Sequence, residues 1–359
     1  MSDFSIFRGR RVLVTGSTGF KGSWLCAWLA ELGAEVHGLA LPPEPDAPLF
    51  NQLRLSERIR RYDIDLRDGE RTMATVAEIK PELVLHLAAQ ALVRRGYAEP
   101  KLTFDTNVGG AVNLLEAVRA VPSIKALVFI TSDKCYRNRE WIWGYRENDE
   151  LGGPDPYSAS KAAAEIVFSA YQESYFAKRP GFLAATARAG NVIGGGDWSA
   201  NRIVPDCVRA LSANQAIVLR HPHSTRPWQH VLEPLSGYLT LAARLLAGDD
   251  RAAGAWNFGP DAENVRSVQA LVEAGVTVWG GGRLSIEPEP GAPHEAGLLM
   301  LNNDKAKTLL GWRPRWSFEQ ALAHTFGWYK EVGKGADPLA ITLRHIADYT
   351  TPACTAPAA

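Results

Sequence analysis

The segment Arg11-Val-Leu-Val-Thr-Gly-Ser-Thr-Gly-Phe-Lys-Gly22 joins a short apolar run to a loop that contains three glycines. The run over residues 11–15 is rich in β-branched side chains, which is typical of a buried strand. Apolar residues then recur at helical spacing over residues 24–32, and Gly33 follows them. The segment therefore predicts a strand, a tight turn and a helix.

This pattern recurs along the first half of the chain. Further apolar runs predict buried strands, and periodic stretches between them predict helices. The predicted strands cover residues 35–40, 83–87, 126–130 and 182–188, and the predicted helices cover 69–80, 100–120 and 155–177. The alternation indicates an α/β fold with a doubly wound parallel sheet of the Rossmann type and helices on both faces.

The sequence changes in character after residue 190. Proline and glycine become more frequent, and helical periodicity is confined to residues 233–247, 265–278 and 318–330. We expect a Rossmann domain over residues 1–190, with parts of 215–260 returning to it, and a smaller, interleaved substrate-binding lobe over 191–349. The Ala/Pro/Thr-rich residues 350–359 are predicted to form a flexible tail.

Composition excludes several classes of function. The chain has 39 basic and 39 acidic residues, so it has no overall field that favours nucleic acid or an anionic membrane surface. No apolar run is long enough to span a bilayer, and residues 1–11 lack the apolar core of a secretory signal, which predicts a cytoplasmic protein. The four cysteines show no metal-ligand spacing, so no metal site is predicted.

The glycine loop is the predicted cofactor site. Its three glycines allow the backbone to approach a pyrophosphate at the helix N-terminus. Tight strand-to-helix turns also favour glycine, so the triplet alone does not decide between these roles. The GxxGxxG spacing is similar to that of short-chain dehydrogenases. The predicted contacts in this loop are Gly16, Thr18, Gly19, Phe20, Lys21 and Gly22.

The end of the second strand bears on the choice of dinucleotide. An acidic residue there would bind the adenosine ribose, but His37-Gly-Leu-Ala-Leu41 contains none. The same stretch contains no arginine for a 2′-phosphate, so we expect NAD rather than NADP.

Further cofactor contacts are predicted on loops and a helix that follow the later strands. They are Asp65, Leu66, Leu87, Ala88, Ala89 and Asn107. Asp65 could instead cap a helix, and the alanines could serve close packing alone.

Tyr157 and Lys161 are the predicted catalytic pair, and both are also expected to contact the cofactor. Residues four apart share one helix face, so we expect the ammonium group, with a positively charged nicotinamide, to lower the pKa of the phenol. The phenolate would then accept a proton from a substrate hydroxyl. Ser132, after the predicted strand 126–130, would hydrogen-bond the reacting oxygen. The alternative is a tyrosine–lysine pair on an exposed helix surface.

Three motifs resemble those of the CDP-glucose 4,6-dehydratases, a branch of the extended short-chain dehydrogenase/reductase family. They are Thr131-Ser-Asp-Lys-Cys-Tyr136, Glu140-Trp-Ile-Trp-Gly-Tyr-Arg-Glu147 and Gly152-Gly-Pro-Asp-Pro-Tyr-Ser158. The resemblance extends over residues 10–328, and the first two motifs are specific to this branch. It implies an NAD-dependent lyase of deoxysugar biosynthesis that converts CDP-glucose to its 4-keto-6-deoxy product and water.

The resemblance implies three steps: oxidation of the sugar at C4, loss of water across C5 and C6, and return of the hydride to C6. Asp133 is suited to protonate the departing C6 hydroxyl. Lys134, made neutral by burial, is the candidate base for the C5 proton. Related dTDP-glucose dehydratases carry an Asp-Glu pair at these two positions. The alternative is that Asp133 and Lys134 form a structural ion pair.

Three residues are predicted to bind the nucleotide sugar. Asn191, in the glycine-rich stretch after strand 182–188, resembles the asparagine that contacts the substrate phosphate. Arg202 and Arg226 supply cations that suit phosphate oxygens, although Arg226 could instead be a surface arginine near a proline turn. His230 is expected to serve packing or hydrogen bonding.

Other functions share parts of this pattern. A nucleotide-sugar 4-epimerase or 4-reductase would use Ser132, Tyr157 and Lys161 without an acid and a base over C5 and C6. A catalytically inactive NAD-binding regulator usually lacks the tyrosine or the lysine, and both are present. Family members pair the helices predicted at 100–120 and 155–177, so we expect a homodimer or a dimer of dimers.

Overall fold

The computed structural model describes residues 3–43, 49–199, 202–287 and 298–351. Its centre is a seven-stranded sheet in which all neighbouring strands run parallel, which confirms the predicted doubly wound α/β fold. In sheet order the strands are β3 (Arg60–Asp63), β2 (Glu35–Ala40), β1 (Arg11–Thr15), β4 (Leu83–His86), β5 (Ala126–Ile130), β6 (Leu183–Ala189) and β11 (Gly254–Phe258).

Short strands form three further pairs in the described part of the chain, all of them after residue 190. They are β7 (Val192–Ile193) with β10 (Gln229–His230), β8 (Ala216–Leu219) with β13 (Arg283–Ile286), and β9 (Thr225–Pro227) with β12 (Val265–Ser267).

Helices cover both faces of the sheet. They are α1 (Phe20–Glu31), α2 (Leu49–Gln52), α3 (Gly69–Ile79), α4 (Val93–Ala98), α5 (Pro100–Phe104), α6 (Gly110–Ala120), α7 (Pro156–Ser174), α8 (Ile203–Ser212), α9 (Leu232–Leu246), α10 (Val268–Trp279), α11 (Phe318–Gly333) and α12 (Pro338–Thr350).

The two faces of the sheet bury different hydrophobic clusters, because side chains alternate along each strand. On β5, Val128 and Ile130 belong to the cluster shared with α1 and α9. Leu127 and Phe129 belong to the cluster shared with α3, α6 and α7. The central strands of the sheet are therefore buried on both faces, which leaves the ends of these strands for a polar site.

Three predicted helix boundaries are wrong. Residues 265–267 of the helix predicted at 265–278 form β12, and α10 begins at Val268. The helix predicted over residues 100–120 is divided into α5, a π-helical turn at Asp105–Gly109, and α6. Gly109 and Gly110 lie at this junction, and glycine weakens the preference for regular helix. The first helix begins at Phe20 and not at residue 24, so the end of the predicted glycine loop is helical.

A buried aromatic cluster joins the C-terminal helices to α1. The ring of His230 lies edge-on to Trp24 at 5.6 Å and to Trp316 at 4.8 Å between centroids. His324 stacks on Trp316 at 3.9 Å, and His345 stacks on Trp24. His230 therefore serves aromatic packing, as the sequence predicted.

In the described part of the chain, no helix has both the length and the apolar character needed to cross a membrane. Thr350 ends α12, and residues 352–359 of the predicted flexible tail lie outside the described residues.

Candidate active site

The glycine loop lies where β1 ends and α1 begins. Gly16 has a φ of 73°, and a Cβ atom there would lie 2.7 Å from the backbone nitrogen of Ala88. A Cβ atom at Gly22 would lie 2.1 Å from the carbonyl oxygen of Gly16. Gly19 is the N-cap of α1 and has no side chain to cap the first turn. The loop can therefore present backbone N–H groups to an anion at close range.

The first turn of α1 brings Lys21 into the same region. Burial lowers its pKa to about 8, and the charge of Arg202 lowers it further, whereas the charge of Asp133 raises it. The ring of Phe20 lies against the backbone at Gly194, where a Cβ atom would be 3.1 Å from Cζ. Both side chains belong to the first helical turn of α1. The sequence pattern assigned this turn to the loop, because glycine at position 22 is unusual inside a helix.

The loop after β4 lies directly under the glycine loop. The backbone N–H of Ala88 donates to Thr15 Oγ1 at 3.2 Å, and Thr15 Oγ1 lies 2.7 Å from Nδ1 of His86. Burial, with the charge of Lys161, lowers the pKa of His86 to about 3, so its imidazole is neutral. Leu87 and Ala89, the other predicted contacts, lie half-buried beside Ala88.

Asn107 holds this loop in place. Its Oδ1 accepts from the N–H of Gln90 at 2.7 Å, and its Nδ2 donates to the Gln90 carbonyl at 3.0 Å and to Ser160 Oγ at 2.9 Å. The side-chain amide thus ties the loop after β4 to α7. Asn107 therefore positions the loop that carries Leu87 and Ala88.

The loop after β3 contains the other predicted cofactor pair. Asp65 accepts hydrogen bonds from the guanidinium of Arg67, while Leu66 is buried. The alternative role of Asp65 as a helix cap is wrong, because Asp68 is the N-cap of α3 and accepts from the N–H of Arg71 at 3.0 Å.

The structure brings the predicted catalytic residues together. Tyr157 and Lys161 lie on successive turns of α7 and are 7% and 6% exposed, which excludes an exposed surface pair. Ser132, just beyond β5, hydrogen-bonds to the Tyr157 phenol and donates to Oδ1 of Asp133 at 2.8 Å. Asp155 caps α7 by accepting from the N–H of Ser158 at 3.0 Å.

The expected lowering of the Tyr157 pKa is wrong for the polypeptide by itself. Burial and the charge of Asp133 together raise the pKa of Tyr157 to about 12. The hydrogen bond with Ser132 and the charge of Arg202 act in the opposite direction but do not compensate. Burial also lowers the pKa of Lys161 to about 8.

Asp133 and Lys134 lie on a short 3₁₀ turn that follows Ser132. Asp133 is 5% exposed, and a Cβ atom at Gly190 would lie 3.0 Å from its Oδ2, so glycine at position 190 leaves room for the carboxylate. Lys134 is half-buried, and its backbone N–H donates to Ser132 Oγ at 3.3 Å. Among the described residues no ion pair joins Asp133 to Lys134, which argues against the purely structural alternative.

Tyr238 is a residue of this region that the sequence did not reveal. It lies on α9 and is fully buried, and its hydroxyl has no hydrogen-bond partner within the described chain. Burial raises its pKa, and the charges of Asp133 and Tyr157 add to this effect. Its position within an apolar helical pattern gave no signal that separates it from an ordinary core residue.

The predicted substrate residues lie on the loops and strands after β6. Arg202, the N-cap of α8, donates to Oδ2 of Asp197 at 2.9 Å, and its charge reaches Lys21 and Tyr157. Asn191 lies half-buried between β6 and β7. Arg226 lies on β9 opposite Arg266 and donates to the carbonyl of Thr225 at 2.8 Å.

Comparison with known proteins supports the geometry. The sequence model of a family described as GDP-mannose 4,6 dehydratase matches residues 13–325. A CDP-glucose 4,6-dehydratase of Salmonella typhimurium is 48% identical over 353 residues, which are 97% of this chain and 98% of that protein.

Two solved structures have the same fold. A dTDP-glucose 4,6-dehydratase from Bacillus anthracis in complex with NAD has a TM-score of 0.77 at 23% identity, covering 92% of this chain and 100% of that one. A UDP-glucose 4-epimerase of Thermus thermophilus in complex with NAD has a TM-score of 0.76 at 26% identity, covering 91% and 99%.

Proposed function

The chain belongs to the GDP-mannose 4,6 dehydratase family, and from this membership we propose that it is an NAD-dependent CDP-glucose 4,6-dehydratase. It converts CDP-D-glucose to CDP-4-keto-6-deoxy-D-glucose and water. The relative from Salmonella typhimurium carries the name of this reaction, and its similarity extends over nearly the whole chain.

One observation carries the choice of a dehydratase: a buried carboxyl group lies beside the residues that oxidise. Oδ1 of Asp133 accepts a hydrogen bond from Ser132, and Lys134 follows on the same turn. Oxidation at C4 needs only a base for the C4 hydroxyl and a group that binds the oxygen. Loss of water from C6 needs a further acid and a further base, and Asp133 and Lys134 supply them.

The glycine turn fits a dinucleotide, because without Cβ atoms at Gly16 and Gly22 the backbone packs tightly against Ala88 and against the Gly16 carbonyl at the N-terminus of α1. The first turn of α1 supplies N–H donors to the pyrophosphate. NAD, when bound, would supply a reversible hydride acceptor. The further contacts that we propose are Thr18, Gly19, Phe20, Lys21, Asp65, Leu66, Leu87, Ala88, Ala89, Asn107 and Lys161.

The side chains then divide the proton transfers. The positive charge of bound NAD would favour the phenolate of Tyr157, which accepts the proton of the C4 hydroxyl, and Ser132 stabilises the oxygen as it becomes a ketone. The ketone acidifies the C5 proton, which Lys134 removes while Asp133 protonates the C6 hydroxyl that leaves as water. Lys134 returns its proton to C5 after C6 is reduced. The proton gained by Tyr157 balances the one that Asp133 lost.

We propose that the substrate pyrophosphate is held by Arg202, Arg226 and Asn191. The charge of Arg202 acts on Tyr157, which supports a role for this arginine near the bound nucleotide sugar. Arginine pairs with phosphate oxygens through two parallel N–H donors. We also propose that residues 191–349 form the lobe over the sugar, and that 1–190, joined by parts of 215–260, hold the cofactor.

We propose a homodimer that is formed by the helices of residues 100–120 and by α7. Phe104 on α5 is 39% exposed and Ile166 on α7 is 59% exposed, although both are large apolar side chains. A second copy would cover them in a four-helix contact.

The test of this function follows one atom of hydrogen. CDP-glucose that carries deuterium at C4 should give a product with deuterium at C6, and no reduced cofactor should be released, as measured by mass spectrometry and absorbance. Lys134→Met should still oxidise C4, so the bound cofactor should become trapped in its reduced form. Deuterium found at C4 would indicate an epimerase, and deuterium lost to solvent, or normal turnover by Lys134→Met, would contradict the assigned roles.

A further inference from the structure

A buried ion pair lies directly behind the active site. Nη2 of Arg188, on β6, lies 2.8 Å from Oε2 of Glu165, on α7, and the two side chains are 4% and 3% exposed. Removing two charges from water is expensive, and a buried ion pair often stabilises a fold no more than apolar residues of the same size would. Its presence is therefore better explained by what it holds in place.

Glu165 shares a helix face with the catalytic pair. Tyr157, Lys161 and Glu165 are spaced four residues apart on α7, so their side chains project from successive turns of one face. The charge of Glu165 acts on Lys161. Any group that Glu165 binds is thereby fixed relative to both catalytic side chains.

The ion pair of Glu165 and Arg188 forms hydrogen bonds with residues on both sides of residues 132–134, which we call the acid–base segment. Thr131, immediately before the segment, donates its hydroxyl hydrogen to Oε1 of Glu165. Tyr136, two residues after the segment, accepts from Nη1 of Arg188 at 2.7 Å. Tyr136 in turn donates to Oδ1 of Asn257 on β11 at 2.8 Å.

We propose that Glu165 and Arg188 are positioning residues that hold the acid–base segment from both ends, Glu165 through Thr131 and Arg188 through Tyr136. This proposal rests on the proposed function, because that function assigns chemistry to Asp133 and Lys134. The pair places these two residues over C5 and C6 of a sugar whose C4 is fixed by Tyr157. Oxidation depends on these hydrogen bonds less than elimination does, because Tyr157 and Lys161 belong to α7 itself.

The test removes one hydroxyl at a time. Glu165→Gln would leave the buried guanidinium of Arg188 without its counter-charge and would disturb the fold together with the site. Thr131→Val and Tyr136→Phe each release one end of the segment and keep the ion pair. A displacement of the reacting groups by a fraction of an ångström should lower kcat about tenfold to a hundredfold, with KM nearly unchanged.

Two control variants match these changes. Thr186 on β6 also donates to Glu165, at 2.9 Å from Oε2, so Thr186→Val removes the same kind of hydrogen bond without touching the segment. Tyr349→Phe removes a phenol on α12 that donates to the buried Glu233 at 2.6 Å, so it leaves the hydrogen bonds of Thr131 and Tyr136 in place. Both controls should keep kcat within about twofold of the wild type.

Two measurements separate positioning from a loss of stability. During turnover, Thr131→Val and Tyr136→Phe should accumulate reduced bound cofactor, since elimination slows more than oxidation, and the absorbance of the protein reports it. Amide hydrogen exchange over residues 131–136 should be faster in these two variants and unchanged in the controls.

The outcomes distinguish the two proposals. If the wild type makes no product from CDP-glucose, the proposed function fails, while hydrogen exchange still tests the hold on the segment. If the wild type is active but Thr131→Val matches Thr186→Val in kcat, in reduced cofactor and in exchange, the positioning proposal is overturned. Equal loss of oxidation and elimination would overturn it as well.

Discussion

Lys161, which we propose as a catalytic residue, lowers the stability of the folded protein. Its folded-state pKa of about 8 lies below the ordinary value of 10.5, so the unfolded chain binds the additional proton between these pH values. The free energy of unfolding therefore rises with pH across that window, and the penalty is fully present below pH 8.

Lys161→Met should accordingly raise the free energy of unfolding at pH 7 by about 1–3 kcal/mol while it abolishes turnover. The gain should disappear above the unfolded pKa of 10.5, where neither state is protonated. Urea unfolding at pH 7 and at high pH measures it. The control is Lys101→Met, at a side chain that is 87% exposed, and it should change the free energy of unfolding little. A loss of stability in Lys161→Met at pH 7 would contradict the argument.

For single residues, the sequence predicts a functional role where that role depends on local spacing. The spacing of Tyr157 and Lys161 places both on one face of a helix wherever that helix packs, and the structure agrees. The direction of the Tyr157 pKa was mispredicted, because burial and the charge of Asp133 are set by tertiary packing. Tyr238 was missed for the same reason, since only the folded chain brings α9 beneath Asp133.

Among the elements, the turn between β1 and α1 is the most tightly constrained. Gly22→Ala adds a Cβ atom 2.1 Å from the carbonyl oxygen of Gly16, so the turn must move and its N–H donors move with it. NAD affinity should fall about tenfold or more, as measured by titration calorimetry.

The matched control for this glycine is Gly327→Ala in α11, where an added Cβ atom meets nothing within 4 Å. It should keep NAD affinity and slightly stabilise its helix, since alanine is a better helix former. Unchanged NAD affinity in Gly22→Ala would exclude the loop as the pyrophosphate site.

The elements themselves are largely predictable, because a buried parallel strand and an amphipathic helix have distinct periods. The structure confirms strands at Arg11–Thr15, Glu35–Ala40 and Ala126–Ile130 with the predicted bounds. The start of α1 was mispredicted because its first turn packs against Gly16 through a glycine, a tertiary contact that overrides helix preference.

For the whole molecule, the expected dimer can be tested through its exposed apolar side chains. Ile166→Glu places a charge in the proposed interface and should convert the dimer to a monomer, as measured by light scattering at micromolar concentration. Leu309→Glu is the control. Leu309 is exposed to a similar degree, at 57%, but it lies in a π-helical turn far from α7 in sequence. A monomeric wild type would exclude the interface, and so would loss of the dimer in Leu309→Glu alone.

The edge strand β11 lies far along the sequence from its neighbour β6, and this separation affects synthesis of the chain. β6 is complete when Ala189 has left the ribosome, but its outer neighbour β11 starts only at Gly254, which pairs with Ala185. During this interval the central sheet has six of its seven strands, and its edge at β6 is open. Open sheet edges readily pair with other chains. A message truncated before codon 254 would therefore yield an aggregating fragment, and a chaperone that covers β6 would protect the nascent protein during this interval.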